Sequence, residues 1–201
     1  NLELGRLYWR SGAYKDAAKT LRKAHKIFQE FEDSRGVTLC KYSLARLALS
    51  IGRRKEARSL GTAALESFRR LDDPRGAARC ELILGRLEGR DGGHEGALER
   101  FDDALETFDE LDDVRGRNCA AALRAVALEH LERHDEVDEI VAELQETDAS
   151  SMVTEETFAS ALEELAELMN KRSPMDAIEL DEHAETVFRR LGRTSREHSV
   201  N

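Results

Sequence analysis

Residues 2–17 read LELGRLYWRSGAYKDA, and the stretches that begin at Tyr42 and Leu82, YSLARLALSIGRRKEA and LILGRLEGRDGGHEGA, align with them without a gap. The segments FEDSRG from Phe31, LDDPRG from Leu71 and LDDVRG from Leu111 repeat at the same offset of 40 residues. A fixed period of roughly 20 to 50 residues indicates units that bury their apolar faces only by stacking on one another. The repeat therefore predicts a solenoid.

Each 40-residue unit carries two segments in which apolar residues recur at helical spacing, which predicts two amphipathic helices per unit. Pro74 and Pro174 follow Asp and Ser, the order of a helix cap and a first-turn proline. Gly12, Gly52 and Gly92 mark the turn inside a unit, and the Asp-x-Arg-Gly segments mark the turn between units. We expect helices at 2–11, 14–31, 34–51, 54–71, 74–91, 94–111, 114–133, 135–147, 153–171 and 174–191.

The period continues more weakly to the end of the chain. We expect a single array over residues 1–192, with units at 1–33, 34–73, 74–113, 114–152 and 153–192 and a polar tail at 193–201. The first unit is truncated and the fourth is degenerate, with a loop or kink at TDASS from Thr147. Because the chain opens partway into a unit, at Asn1 rather than Met, we expect it to be an excerpt of a longer protein.

The net charge of −10 argues against general binding to nucleic acid or an anionic membrane, although an average can conceal a local basic stripe. No apolar run approaches the roughly 18 to 20 residues that a spanning helix needs, and we expect a cytoplasmic protein. Cys40, Cys80 and Cys119 are too few and too far apart for a disulfide framework, so we expect reduced cysteines that pack in the core.

The small and apolar positions of the units resemble the signature of the tetratricopeptide repeat (TPR). They are Leu4, Gly5, Tyr8, Ala17, Leu21 and Ala24 in the first copy and Leu84, Gly85, Ala97, Phe101 and Ala104 in the third. The 40-residue unit is similar to the long-repeat subgroup of the spindle-orientation Leu-Gly-Asn proteins and of bacterial and archaeal regulators. The resemblance implies an all-α superhelix, a TPR solenoid of about five helix-turn-helix repeats.

The resemblance also implies that the first helix of each unit lines a concave groove, faced by the residue after the Leu-Gly pair. Here that residue is arginine, at Arg6, Arg46 and Arg86. The Leu-Gly-Asn proteins use asparagine there to grip an extended peptide, so their peptide contacts do not carry over. On a helical wheel the neighbouring candidates are Leu2, Trp9, Arg10, Tyr42, Arg79, Leu82 and Arg90.

Guanidinium groups pair with carboxylates in two parallel hydrogen bonds, and Trp9 and Tyr42 would add apolar contact. The hypothesis is a groove for an acidic, partly hydrophobic segment of a partner. The alternative is that each arginine pairs with Asp or Glu of the neighbouring unit, in an exposed ion pair that contributes little.

These residues predict a non-catalytic protein–protein interaction module or scaffold that binds a protein or peptide. The alternative is the ligand-sensing or self-association region of a transcriptional regulator whose DNA-binding domain lies outside this chain. A homodimer would use the degenerate fourth unit together with Met152, Val153 and Phe158, which either form a self-association surface or pack between helices.

No arrangement of residues indicates catalysis, a cofactor or direct nucleic-acid contact. His130 and His134 are four residues apart on one helix, which is a metal-ligand spacing, but they lack a third ligand and favour an exposed charged face. The glycine-rich GRDGGHEGA from Gly89 lacks the strand and the Gly-Lys-Ser/Thr ending of a phosphate-binding loop, so it indicates a turn.

Overall fold

The computed structural model describes residues 1–146 and 156–190, apart from the side chains of Arg10, Glu146 and Glu156. Every helix in these ranges is an α-helix, and no strand occurs in them. The helices are α1 (Leu2–Arg10), α2 (Tyr14–Glu30), α3 (Ser34–Ser50), α4 (Arg54–Arg70), α5 (Pro74–Arg90), α6 (His94–Glu110), α7 (Val114–His130), α8 (His134–Glu146), α9 (Glu156–Met169) and α10 (Pro174–Arg190).

The predicted all-α helical-repeat class and the order of the elements are confirmed. Most predicted starts are correct, but α8 begins at His134 rather than 135, and the predicted ends of α1 to α7 and of α9 are too late. The predicted ends of α8 at 147 and of α10 at 191 fall outside the described residues. The predicted start of α9 at 153, the loop at TDASS and the tail at 193–201 fall outside the described residues.

In the first seven helices the early end has one physical cause, because the residue two positions beyond the last helical residue has positive φ. At the end of α4, Asp72 has a φ of 52° and the N–H of Asp73 donates to the carbonyl of Phe68 at 3.0 Å. This hydrogen bond closes a Schellman motif, in which the positive φ of Asp72 turns the backbone out of the helix. The positive-φ residues are Gly12, Glu32, Gly52, Asp72, Gly92, Asp112 and Glu132.

The Asp-x-Arg-Gly segments lie in the helices more than in the turns between units. Asp73 caps α5, since its carboxylate accepts the N–H of Gly76 at 2.8 Å. Gly76 lies in the first turn of α5, and a Cβ at this position would stand 2.6 Å from Cε1 of Phe68. The segment is therefore a helix start whose glycine admits the phenylalanine ring of the preceding helix. Asp33 with Gly36 and Asp113 with Gly116 repeat the cap.

The chain divides into two compact units that are larger than the 40-residue units of the sequence. Residues 1–87 form the one that is called the first unit below, and residues 88–201 form the second unit. In the first unit, α2 packs against both α1 and α3, and α3 packs against α4. Gly5 allows the close approach of α1 and α2 that its spacing predicts, because a Cβ there would stand 2.7 Å from Cγ of Leu21. The cores of the first unit contain Trp9, Ala17, Leu21, Leu44 and Leu47, and Tyr42, Ala45, Ala57, Ala64, Phe68, Cys80 and Leu87.

In the second unit, α7 packs against α6, α8 and α9, and α9 packs against α10. Its largest buried side chains include Phe108, Leu123, Leu128, Phe158 and Leu165. None of the helices in the described part of the chain combines the length and the apolarity that crossing a bilayer requires.

A candidate partner-binding face on the first unit

The arginine row, which we define as Arg6, Arg46 and Arg86, has its best-defined geometry at Arg46. The guanidinium carbon of Arg46 lies 4.4 Å from the centroid of the Trp9 ring and 5.7 Å from that of Tyr42. Both distances are within the range of a cation–π interaction. The indole N–H of Trp9 donates to the hydroxyl of Ser50 at 3.2 Å, which fixes the ring beneath the guanidinium. Arg46 is thus a half-buried cation held on two aromatic rings.

Arg6 and Arg86 occupy the corresponding positions of α1 and α5. Arg6 donates to Glu3 on its own helix at 2.8 Å, with 37% of its side chain exposed. This ion pair lies within one helix, and such solvated pairs contribute about 0 to 1 kcal/mol. Arg79 and Arg86 are half-buried on α5, whereas Arg90 is exposed and belongs to residues 88–201.

The apolar candidates do not form an open surface. Trp9 is 9% exposed, Tyr42 8% and Leu82 6%, and Leu2 is half-buried against the core around Trp9. Tyr42 packs edge-on against Phe68, with the ring centroids 6.3 Å apart. The sequence led us to expect that Trp9 and Tyr42 contact a partner directly, but they belong to the core and support Arg46 instead. Of Arg10, only the backbone is described.

The two histidines that raised the question of a metal have other contacts. His130 stacks on His94, with the ring centroids 4.2 Å apart and the planes 20° apart, and Nδ1 of His134 lies 3.3 Å from Oε2 of Glu129. Among the described residues, no three His, Cys, Asp or Glu side chains are placed to hold a metal ion.

The three cysteines are free thiols in the core, as predicted. Burial raises the pKa of the Cys40 thiol to about 11 and that of Cys80 to about 12. A neutral buried thiol is a poor nucleophile, so these side chains serve packing. Phe158 is also fully buried, which excludes it from a self-association surface, while Met152 and Val153 lie outside the described residues.

Charge is distributed unevenly along the chain, and the net charge of the whole sequence conceals this. Residues 1–70 contain 16 Lys and Arg against 7 Asp and Glu, a net charge of +9, whereas residues 71–201 contain 15 against 34, a net charge of −19. A count by unit rather than over the whole sequence reveals this asymmetry. The candidate face therefore lies largely in the basic part of an acidic protein.

The fold and this face define the protein as an α-solenoid of helix-pair repeats with a basic first half. Residues 1–70 match the family model described as tetratricopeptide repeat, which supports the predicted resemblance at the start of the array. No curated protein sequence matches the chain.

Solved structures extend the likeness to the length of the chain, at identities that establish the fold alone. The nearly identical TPR-like repeats of a candidate kinesin light chain from Podosopora anserina match with a TM-score of 0.62 and 17% identity, covering 96% of this chain and 95% of that one. BtubC (BKLC) from P. vanneervenii matches with a TM-score of 0.65 and 20% identity, covering 94% and 76%. A Rap protein complexed with competence and sporulation factor matches with a TM-score of 0.69 and 16% identity, covering 95% and 61%.

Proposed function

We propose that the chain is a non-catalytic interaction module whose first unit binds an acidic segment of a partner protein through the arginine row. The observation that carries this proposal is the stacking of Arg46 on Trp9 and Tyr42. An arginine held on aromatic rings loses less side-chain entropy when a carboxylate binds, because its planar fork is already oriented. The hydrogen-bonding edge of such a guanidinium pairs bidentately with Asp or Glu.

The local charge supports an acidic partner. A net charge of +9 over residues 1–70 raises the rate at which an acidic segment meets this surface, although the protein as a whole is acidic. The burial of Trp9, Tyr42 and Leu82 limits apolar contact, so we infer a partner segment recognised mainly by its carboxylates. Support also comes from the Rap protein of the same fold, which holds another molecule, the competence and sporulation factor.

The test is binding of fluorescent peptides that carry three or four glutamates at varied spacing, measured by anisotropy. The variant Arg6→Glu, Arg46→Glu, Arg86→Glu should lose at least tenfold in affinity, because each guanidinium that pairs with a carboxylate is replaced by a group that repels it. A matched control, Arg115→Glu, Arg117→Glu, Arg189→Glu, changes the net charge equally at exposed arginines of the second unit.

Circular dichroism must show that both variants keep the wild-type helix content. Equal loss of affinity in the two variants would mean that only net charge matters, and unchanged affinity in the arginine-row variant would refute the proposal. Capture of partners from host lysate with the same three proteins would then identify the natural acidic segment.

The regulator alternative and a homodimer stay predictions. Light scattering at rising protein concentration tests self-association, and the domain content of the parent protein tests the regulator. A strictly monomeric chain would count against both a homodimer and a self-association region.

A further inference from the structure

The outer side of α2 carries a row of basic side chains that the arginine row does not include. Lys15, Lys19, Arg22 and Lys26, which we call the lysine row, follow one another at intervals of three or four residues. At 3.6 residues per turn these positions fall within an arc of about 60°, and the row is about 16 Å long. All four side chains are exposed, while Ala17 on the other side of α2 is buried.

The lysines of this row have no carboxylate partner among the described residues. Neither an ion pair nor a hydrogen bond within the described chain involves Lys15, Lys19 or Lys26, whereas Arg22 pairs with Glu56 at 3.2 Å. Elsewhere in the chain, arginines such as Arg124 and Arg172 each contact two carboxylates. The three lysines of the row therefore present positive charge that no described carboxylate pairs with, whereas the charge of Arg22 is shared with Glu56.

The residue type is itself unusual for this chain. The sequence contains 24 arginines and 7 lysines, and 6 of the 7 lysines fall within residues 1–70. Lysine is depleted at protein–protein interfaces, where arginine and aromatic residues are enriched. Lysine is, by contrast, a common ligand of phosphate, which it meets as a compact point charge. The lysine row thus fits a phosphate-bearing partner better than a protein surface.

The shape of the row distinguishes between polyanions. The apolar residues of α2 are buried, like Leu21 and Ala24, or half-buried, and none of them lies in the row, so the row offers no apolar side chain to insert into a lipid bilayer. A single line of cations about 16 Å long matches a linear chain of charges. Duplex DNA presents such a chain, with one phosphate per about 3.4 Å of axis on each strand.

We propose that the lysine row of α2 binds the phosphate backbone of double-stranded nucleic acid without reading its sequence. This revises the expectation of no direct nucleic-acid contact, which rested on the net charge of −10. At physiological salt the Debye length is about 8 Å, so exposed carboxylates farther than that from the row are largely screened. Few contacts are involved, and the affinity is weak and strongly dependent on salt.

The test is fluorescence anisotropy with a 20-base-pair DNA duplex of arbitrary sequence, titrated with the full chain between 50 and 200 mM NaCl. Each phosphate contact contributes about 0.9 to the slope of log K against log salt. The variant Lys15→Gln, Lys19→Gln, Lys26→Gln should bind at least tenfold more weakly at 50 mM salt and show a slope smaller by about 2 to 3. These exposed lysines form no ion pair or hydrogen bond with the residues that the structure describes, so their loss should leave the fold intact.

The matched control, Arg115→Gln, Lys171→Gln, Arg189→Gln, removes the same charge from exposed positions of the second unit and should change affinity less than twofold. The variant Arg6→Gln, Arg46→Gln, Arg86→Gln removes the same charge as the lysine variant and should retain most duplex binding, which separates this proposal from the arginine row. The proposal is overturned if wild-type protein does not bind the duplex at 50 mM salt, or if the control weakens binding as much as the lysine variant. Binding to phosphatidylserine vesicles but not to the duplex would also overturn it.

Discussion

At the scale of single residues, Gly76 stands where alanine would be the better helix former. A glycine inside a helix costs about 1 kcal/mol relative to alanine. The missing Cβ, however, leaves room for the ring of Phe68, which is 2% exposed and lies against the backbone of Gly76. Packing and propensity therefore act in opposite directions, and the close contact with the rigid ring decides the outcome.

We expect Gly76→Ala to lower the free energy of unfolding by up to about 2 kcal/mol, because overpacking costs about 1 to 3 kcal/mol and helix propensity returns about 1. Urea denaturation followed by circular dichroism measures the change. Gly61→Ala is the control, since the nearest atom to a Cβ there is the flexible Cδ2 of Leu84 at 3.3 Å, and the next atoms, on Ile83 and Leu84, lie at 3.7 Å. That variant should match or exceed wild-type stability, and equal behaviour of the two variants would contradict the packing argument.

At the scale of elements, the helix ends alternate between two ways of adopting positive φ. Gly12, Gly52 and Gly92 adopt it at the turns within units, where a glycine has no steric penalty. Charged residues adopt it at the turns between units, at Glu32, Asp72 and Asp112, and also at the turn within the fourth unit, where Glu132 has a φ of 59°. For these residues the positive φ costs about 1 to 2 kcal/mol. The Schellman hydrogen bonds and the packing of the following helix hold these residues in place.

A pair of opposite substitutions measures that cost. Gly52→Ala should destabilise the protein by about 1 kcal/mol, and its cause is backbone strain alone, because no atom lies within 4 Å of the position of the new Cβ. Glu132→Gly should stabilise it by less than about 1 kcal/mol, since relief of strain is partly offset by the entropy of glycine in the unfolded chain. If the urea midpoint shifted in the same direction from wild type in both variants, the result would be inconsistent with this account.

The stacked histidines at the start of α6 and the end of α7 predict a dependence of stability on pH. Burial, and next the neighbouring His130, lower the pKa of His94 below its usual value of 6.5. The unfolded chain therefore takes up a proton at a higher pH than the folded protein does. Stability is complete above about pH 6.5 and falls as the pH decreases through the lowered pKa of the folded state.

Wild-type protein should thus lose more stability between pH 7.5 and 5.5 than the variant His94→Gln, which cannot take up the proton. Urea midpoints at the two pH values measure the difference. His25, whose pKa is also lowered by burial and by Lys41, remains in both proteins and cancels in the comparison. A variant with the pH dependence of the wild type would exclude His94 as its source.

At the scale of the whole molecule, the prominent contacts join helices that are close in sequence, such as α3 with α4 and α9 with α10. In arrays of this kind each repeat is stabilised by its neighbours, so damage stays local. A Cβ on Gly116 would overlap the ring of Phe108, as at the equivalent position in the preceding repeat. Gly116→Ala should therefore increase amide hydrogen exchange in α6 and α7 and leave α1 to α3 unchanged. A uniform increase along the chain would indicate one cooperative unit instead.

The 40-residue period was sufficient to predict the order of the helices, because each unit repeats the same local pattern of small, apolar and turn-forming residues. It placed most helix ends one residue too late, since a charged residue such as Glu32 gives no sign of the positive φ that stops a helix. It also located the arginine row, but assigned Trp9 and Tyr42 to the surface. A helical wheel gives the direction of a side chain and not the element that covers it.

The sequence by itself thus determined the class of the fold, the number and order of its helices and the positions of the repeated arginines, since these follow from local periodicity. Only the tertiary structure decided that Arg46 lies on two aromatic rings and that Gly76 accommodates Phe68. It also decided that the lysines of α2 have no acidic partner among the described residues. Each of these facts depends on how side chains from different helices meet, or on whether a partner side chain is near. The one-dimensional pattern of the sequence does not contain that information.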